Sequence, residues 1–404
     1  MSEPRLYVRT PTGLAGVLSH EALYLFAYSV QATPREAISL VMPVRLAAYD
    51  WPTLHPVFQM NLPEGYVLDQ LRLRLAKTTG TDPLVLLAMM GAAEPIGRLR
   101  IGTQADISPA TAGGERLADI LAYRGAEGLF DSLVERYLSR TAVSGVQPKV
   151  LVPEAPARSR SAARDKAVGL TNDLIVKSGL NIYPGLAINE YLCMSAVAAA
   201  GIPTPEFFLS DDRSLFVMRR FDRLADGTAL GFEDMAALAG LSAEQKYQGS
   251  YEGVAKLIRA LCSPAKVAPS LAQLFDMVAM SCLLGNGDAH LKNFGLLYAD
   301  PESDAVALAP AYDIVNTTCY LPDDALALRL GHDKTLFSSR IRLLEFAVKH
   351  CGIAKKRAQA RVIELMDALH ATLKAHRALA DEVPGLRRAL EKNLALFKGT
   401  FARP

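Results

Sequence analysis

Cysteine is scarce and scattered, with only Cys193, Cys262, Cys282, Cys319 and Cys351 in 404 residues. An odd number with no close pair lacks the ligand spacing of a zinc site and predicts reduced thiols in the core of a cytoplasmic protein. Charge of one sign is missing as well. The 44 basic residues nearly cancel the 42 acidic ones, leaving +2, so no global field drives the chain onto nucleic acid or an anionic membrane. The opening residues, from Met1 to Val8, have no apolar signal core, and the apolar runs are broken well short of a membrane span. Both features predict a soluble protein with no membrane contact. Internal repeats and coiled-coil heptads are also lacking, which excludes a solenoid. What the chain does have is size and apolar content: half of its residues are apolar, enough for a large core and two or more domains.

The chemistry concentrates in Asn286-Gly287-Asp288-Ala289-His290-Leu291-Lys292-Asn293, answered by Tyr312-Asp313 twenty residues after Asn293. An acid five residues before an amide, followed by a second acid, is the set phosphoryl transfer requires. Asp288 would orient an attacking hydroxyl and take its proton, while Asn293 and Asp313 would hold magnesium. Taken singly, the same residues equally fit a turn and a helix cap. Flanking apolar runs, 275–284 and 294–298, place the loop between buried elements, where loops more often carry function.

The rest of the chain follows the order of a two-lobed kinase. Residues 4–30 alternate as strands of a small antiparallel sheet, and helices are expected at 66–76 and, opening on Asp82-Pro83, at 82–90. A Gly/Ala/Pro-rich connection, 107–115, precedes an interrupted helical pattern over 117–138. The segment from Ser144 to Lys149 reads as either a phosphate-covering loop, with Gln147 and Lys149 as donors, or a plain tight turn before the strand 149–152. Residues 153–169 read as a mobile basic loop. The strand 174–177 ends in Lys177, which either snorkels out of the sheet or pairs with Glu190 on the next helix, as kinases pair a strand lysine with a helix glutamate. After the strand 216–219 comes a short charged link in the hinge position. Helices follow at 233–239, 251–261, 271–284, 342–349, 355–376 and 386–397. The basic run Lys355-Lys356-Arg357 through Arg361 is a solvated helix face or a DNA-phosphate contact.

Assembled, these residues resemble the HipA family of bacterial toxin serine/threonine kinases nearly end to end. The carrying motifs are Ser144-Gly145-Val146-Gln147-Pro148-Lys149, Lys177, Asn189-Glu190-Tyr191, Arg220-Phe221-Asp222-Arg223, Asp288 through Phe294, and Tyr312-Asp313. The resemblance implies an α+β, two-lobed protein-kinase-like fold. An N-terminal α+β domain (1–130) would precede a nucleotide-binding lobe (131–230) and an all-helical catalytic lobe (231–404). It also implies an ATP- and Mg2+-dependent toxin that phosphorylates an aminoacyl-tRNA synthetase, stalls translation and favours persistence. A HipB-like helix-turn-helix antitoxin would neutralise it, with operator DNA reached only through that complex.

By the same resemblance Asp288 is the proton acceptor, and Asn293 and Asp313 are the metal ligands. Val146 through Leu151, including Gln147 and Lys149, form the phosphate loop. Lys177 contacts the phosphates, with His290 and Lys292 beside them and Tyr312 near the nucleotide. Arg219 and Phe221 lie at the hinge, whose backbone would read adenine. Ser144 matches a serine whose autophosphorylation expels the loop and switches the kinase off. Arg219 and Pro148 stand where some relatives carry acids, and Pro148 removes a backbone N–H from the phosphate loop. Two rival readings are a small-molecule phosphotransferase and a catalytically dead co-repressor. The second would be favoured by loss of Asp288, Lys177 or Asp313, and all three are present.

Overall fold

The alternation near the N-terminus forms an antiparallel five-stranded sheet in the computed structural model, in the order Tyr49–Trp51, Tyr24–Tyr28, Gly13–His20, Leu6–Thr10, Arg100–Gly102. The structure describes residues 5–75, 82–90, 95–104, 114–124, 126–138, 147–155, 174–179 and 183–401. Two compact units divide the chain: Met1–Ser178 with Phe207–Phe232 and Ala299–Glu302, and Gly179–Glu206 with Glu233–Tyr298 and Ser303–Pro404.

In the first unit, period-two burial puts Leu6, Val8, Leu18 and Phe26 on one sheet face, against Phe58, Leu84 and Leu87. Gly16 sits opposite Val8 and Tyr28, and a side chain there would strike the Ala27 carbonyl. The helix Pro83–Met90 starts as its sequence predicts, with the Asp82 carboxylate accepting from Leu84 N–H at 2.7 Å.

A second antiparallel sheet in this unit runs Lys149–Val152, Leu174–Ser178, Leu215–Arg219, Phe207–Leu209. Its strands are almost continuously buried, so periodicity alone could not assign their faces. Val150, Val152, Leu174, Val176, Leu215 and Val217 pack on the helices Gly65–Leu75, Leu117–Ala122 and Ala126–Tyr137 through Val67, Ile120, Phe130 and Tyr137. Alternation then turns Lys149, Leu151, Ile175, Lys177, Phe216 and Met218 to the other face.

The second unit is mainly helical, with Leu186–Ala199, Tyr251–Leu261, Pro264–Leu284, Leu336–His350, Lys355–Ala375 and Leu386–Thr400 as its long helices. Pro264–Leu284 starts seven residues before its expected first residue, because Pro264 occupies the first turn, where its missing N–H costs nothing, and Pro269 is accommodated inside. This helix also corrects the reading that every apolar run falls short of a membrane span. It is long and apolar enough (mean hydropathy 1.5), yet 67% of that window is buried within the fold, as in a core helix.

The helical lobe carries in addition a small sheet of Gly231–Asp234, Gly295–Tyr298 and Ala307–Leu308, with Leu296 opposite Leu308. The apolar run after Asn293 is too short for a helix and pairs as a strand instead. The helix expected at 233–239 shrinks to Met235–Leu238, since its first residues belong to a strand whose last member, Asp234, caps it by accepting from Ala237 N–H at 2.8 Å. All five cysteines are free. Burial pushes the Cys282 and Cys351 thiols up to about 12.

Candidate active site

Gly285 ends the helix Pro264–Leu284 in the left-handed region (φ 68°), and the chain turns at once into the acid loop. A β-carbon on Gly285 would collide with the Asn393 amide, and one on Gly287 with the Asp324 carboxylate, so both glycines are dictated by close approach. Asn286 Oδ1 accepts from Asp288 N–H at 3.0 Å, and Asp288 C=O accepts from His290 N–H at 2.7 Å. A 3-10 turn, Leu291–Asn293, delivers Asn293 into the strand Gly295–Tyr298.

Asn293 and Asp313 meet: Asn293 Nδ2 donates to Asp313 Oδ2 at 3.3 Å, and Asn293 Oδ1 accepts from His290 N–H at 3.1 Å. Asp313 adopts φ 58°, one of two non-glycine residues with positive φ among those described. Aspartate tolerates this conformation better than most residues, but it still marks a backbone held by its surroundings. Tyr312 helps hold it, donating its hydroxyl to the Lys292 carbonyl at 2.7 Å. Mg2+ takes hard oxygen donors together with phosphate and water oxygens; here the Asn293 amide presents its nitrogen to the Asp313 carboxylate and its oxygen to His290 N–H, so a metal held by both side chains would require that amide to turn its oxygen toward Asp313. Among the described residues no group of three or more His, Cys, Asp or Glu side chains could hold a metal on its own. An ion here therefore draws its other ligands from water or a bound phosphate.

The Asp288 carboxylate is half-exposed. Its Oδ1 accepts from the Tyr247 hydroxyl at 2.6 Å and lies 3.9 Å from His290 Nε2. His290, expected beside the phosphates, is buried, and burial reinforced by nearby Lys246 holds its imidazole neutral, with a pKa of about 3. At physiological pH it brings no charge to the site.

In the first unit, Lys149 and Lys177 are direct cross-strand partners, and both are buried. Lys177 Nζ lies 5.7 Å from the Phe216 ring centroid, over its face. The row beside them, Leu151, Ile175 and Met218, is apolar. Gln147 turns back to donate to the Ser178 carbonyl at 3.4 Å.

The hinge segment is fixed by its charges. Arg219 forms a two-pronged ion pair with Glu154. Asp222, fully buried, accepts from Arg220 Nε and Nη2 at 2.9 and 2.7 Å, from Arg223 Nη1 at 3.0 Å and from Gly97 N–H at 2.7 Å. Burial alone would raise its carboxyl, but the two guanidiniums and the Gly97 N–H outweigh it and hold the pKa at about 2. Arg220 and Arg223 also donate to the Pro95 carbonyl at 2.7 and 2.9 Å, tying residues 95–97 to the hinge. Phe221 packs edge-on against Phe232.

Ser144, Gly145 and Val146 lie outside the described residues, as do residues 156–169 of the basic loop. The basic run on Lys355–Ala375 splits in two. Lys355, Lys356 and Arg357 are exposed, whereas Arg361 pairs with Asp276 at 2.9 Å and donates to the Ala200 carbonyl at 2.7 Å.

Several residues that shape the acid loop had no motif to announce them. Asn189 and Asn316 exchange two hydrogen bonds, Nδ2 to the Asn316 carbonyl at 2.7 Å and Asn316 N–H to Oδ1 at 2.8 Å. Asn316 Nδ2 then donates to the Leu284 carbonyl at 2.5 Å, and Thr317 Oγ1 accepts from Gly287 N–H at 2.8 Å. Asn189 stood in a recognised motif, but without a role. Tyr247 lies forty-one residues before Asp288, a separation at which spacing carries no signal.

Comparison with known proteins agrees with this layout. The HipA N-terminal domain family matches residues 6–102, and the HipA-like C-terminal domain family matches residues 141–373. Y4dM, a kinase-designated protein of Sinorhizobium fredii (strain NBRC 101917 / NGR234), is 32% identical over 200 residues, covering 45% of this chain and 47% of that relative. The chain thus spans about half the length of that curated relative. Y4mE of the same organism, also kinase-designated, is 27% identical over 377 residues, covering 85% and 84%. Among solved structures, a chain of the Shewanella oneidensis MR-1 toxin–antitoxin complex of HipA, HipB and operator DNA superposes with a TM-score of 0.66 at 18% identity, covering 98% of this chain and 97% of its own. At that identity the likeness speaks to the fold, which is a kinase-like mixture of helix and sheet.

Proposed function

Because the chain belongs to the HipA family, we propose that it is an ATP-dependent serine/threonine protein kinase acting as the toxin of a toxin–antitoxin pair. The observation that carries this reading is the pairing of Asn293 with Asp313 at 3.3 Å, at the end of the same loop that presents the half-exposed Asp288. Asp288 accepts the proton of the attacking hydroxyl as that oxygen bonds to the γ-phosphorus and the bond to ADP breaks. Asn293 and Asp313 would hold Mg2+, which when bound would supply positive charge to neutralise the transferred group. Lys149 and Lys177, cross-strand partners on one sheet face, answer the phosphates. Leu151, Ile175 and Met218 offer an apolar face to adenine, and the backbone at Arg219 and Phe221 reads its edge.

The remaining parts follow the family reading. Residues 1–130, 131–230 and 231–404 serve as N-terminal, nucleotide-binding and catalytic domains. The substrate is a cytoplasmic aminoacyl-tRNA synthetase, a HipB-like antitoxin neutralises the enzyme, and a phosphate on Ser144 switches it off. Support for an antitoxin is the Shewanella oneidensis relative, whose structure contains HipB and operator DNA. The test is calorimetric titration of ATP with and without Mg2+. Magnesium should tighten binding to the wild type and have little effect on Asp313→Ala. Equal magnesium dependence in the two proteins removes Asp313 as the ligand.

A further inference from the structure

The Tyr247 hydroxyl donates to the Asp288 carboxylate at 2.6 Å, and its position is built from several directions. Lys334 Nζ donates to the Tyr247 carbonyl at 3.2 Å, and Leu291 N–H donates to the Lys246 carbonyl at 3.1 Å, stitching the 246–247 backbone to the acid loop. The tyrosine ring stands edge-on to His290, 5.1 Å between centroids at 80°. Beneath it, Lys246 is buried, with Nζ 5.4 Å from the ring centroid. An exposed tyrosine clamped at backbone, ring and hydroxyl, with a 2.6 Å bond onto a carboxylate, is placed rather than merely adjacent.

Resting on the kinase reading, we propose that Tyr247 is a positioning residue for Asp288, holding Oδ1 so that Oδ2 faces the acceptor hydroxyl. A half-exposed carboxylate with no fixed partner rotates about its last torsion. Fixing one oxygen removes that freedom before the substrate arrives, which is the kind of preorganisation on which proton transfer in a positioned pair depends. The hydroxyl donates and does not take the proton. It touches neither nucleotide nor acceptor, and its effect passes entirely through Asp288.

Tyr247→Phe keeps the ring against His290 and removes only the hydroxyl. Incorporation of phosphate from γ-labelled Mg-ATP into the chain itself, followed against ATP concentration, separates the maximal rate from the half-saturating concentration. The expected result is a fall of about tenfold in maximal rate, with the half-saturating concentration and the melting temperature unchanged. A second arm uses carbon-13 at tyrosine Cζ. The Tyr247 signal should titrate at higher pH in the wild type than in Asp288→Asn, because a phenol donating to a carboxylate gives up its proton less readily. Wild-type rates in Tyr247→Phe overturn the proposal, as does an identical Tyr247 titration in the two proteins. Label found on Tyr247 itself also overturns it, since the hydroxyl would then be an acceptor. A wild type that labels neither itself nor added soluble cytoplasmic protein sinks the kinase reading instead.

Discussion

Replacing Asn189 with alanine should unlatch the acid loop from the helix that precedes it. Asn189 is fully buried, and its amide supplies both a donor to the Asn316 carbonyl and an acceptor for the Asn316 N–H. Truncation leaves the Asn316 N–H unpaired in a region closed to water and its carbonyl with the Cys319 thiol alone, at 3.5 Å. A buried orphan costs about 1–3 kcal/mol, so with the carbonyl keeping only a weak thiol donor the loss is about 3 kcal/mol, above the ~1 kcal/mol net value of an ordinary hydrogen bond. The single tryptophan, Trp51, lies in the first unit and would not report this loss. Urea unfolding followed by helical circular dichroism would, because the long helices are in the second unit. The same change should loosen Asn316, whose amide binds the Leu284 carbonyl immediately before Gly285. A loss below about 1 kcal/mol, which is what relaxation or water entry would leave, refutes the argument that this pair anchors the loop.

Two other perturbations probe the charges. The first unit should lose stability on acidification in two stages. His55, held neutral by burial with a pKa of about 4 against an ordinary 6.5, binds fewer protons folded than unfolded, so stability falls as pH drops from about 6.5 to 4. Asp222, held at about 2 against 3.8, contributes on the order of 2 kcal/mol that is intact above pH 4 and lost as pH falls through 2. Trp51 fluorescence in urea titrations across this range checks both stages, and His55→Gln should erase only the first. On the helix Lys355–Ala375, Arg361→Ala should cost about 2 kcal/mol by leaving Asp276 half-buried without its partner. Charge reversal at the exposed Lys356 should stay within about 0.5 kcal/mol, and paired thermal melts distinguish the two positions.

Much of this was legible from residue order, for identifiable reasons. The helices Tyr251–Leu261 and Leu386–Thr400 begin where their apolar period begins, and the first sheet follows its alternation, because each of those elements exposes one polar face. Strands buried on both faces, such as Leu174–Ser178, gave no alternation to read, and the register that sets Lys149 against Lys177 emerged only from pairing. The helix start at Pro264 was hidden by Pro269, and the strand Gly231–Asp234 by the helix it runs into. At the site, Asp288, Asn293 and Asp313 were nameable from spacing, because phosphoryl transfer constrains which residue types share a loop. The supports were not: Asn316, Thr317 and Asp324 act through backbone groups and close approach, and Tyr247 through a hydroxyl on a carboxylate forty-one residues away, and such roles leave no fixed spacing in the chain.

The most direct test compares transfer from γ-labelled ATP by the wild type and Asp288→Asn, with soluble cytoplasmic protein as the acceptor pool and circular dichroism confirming equal folding. The account predicts label on one or a few proteins with the wild type, at serine or threonine, and none above background with Asp288→Asn. Transfer by Asp288→Asn at a rate near that of the wild type would contradict the assignment of Asp288 as the base, and with it the kinase mechanism built on this loop.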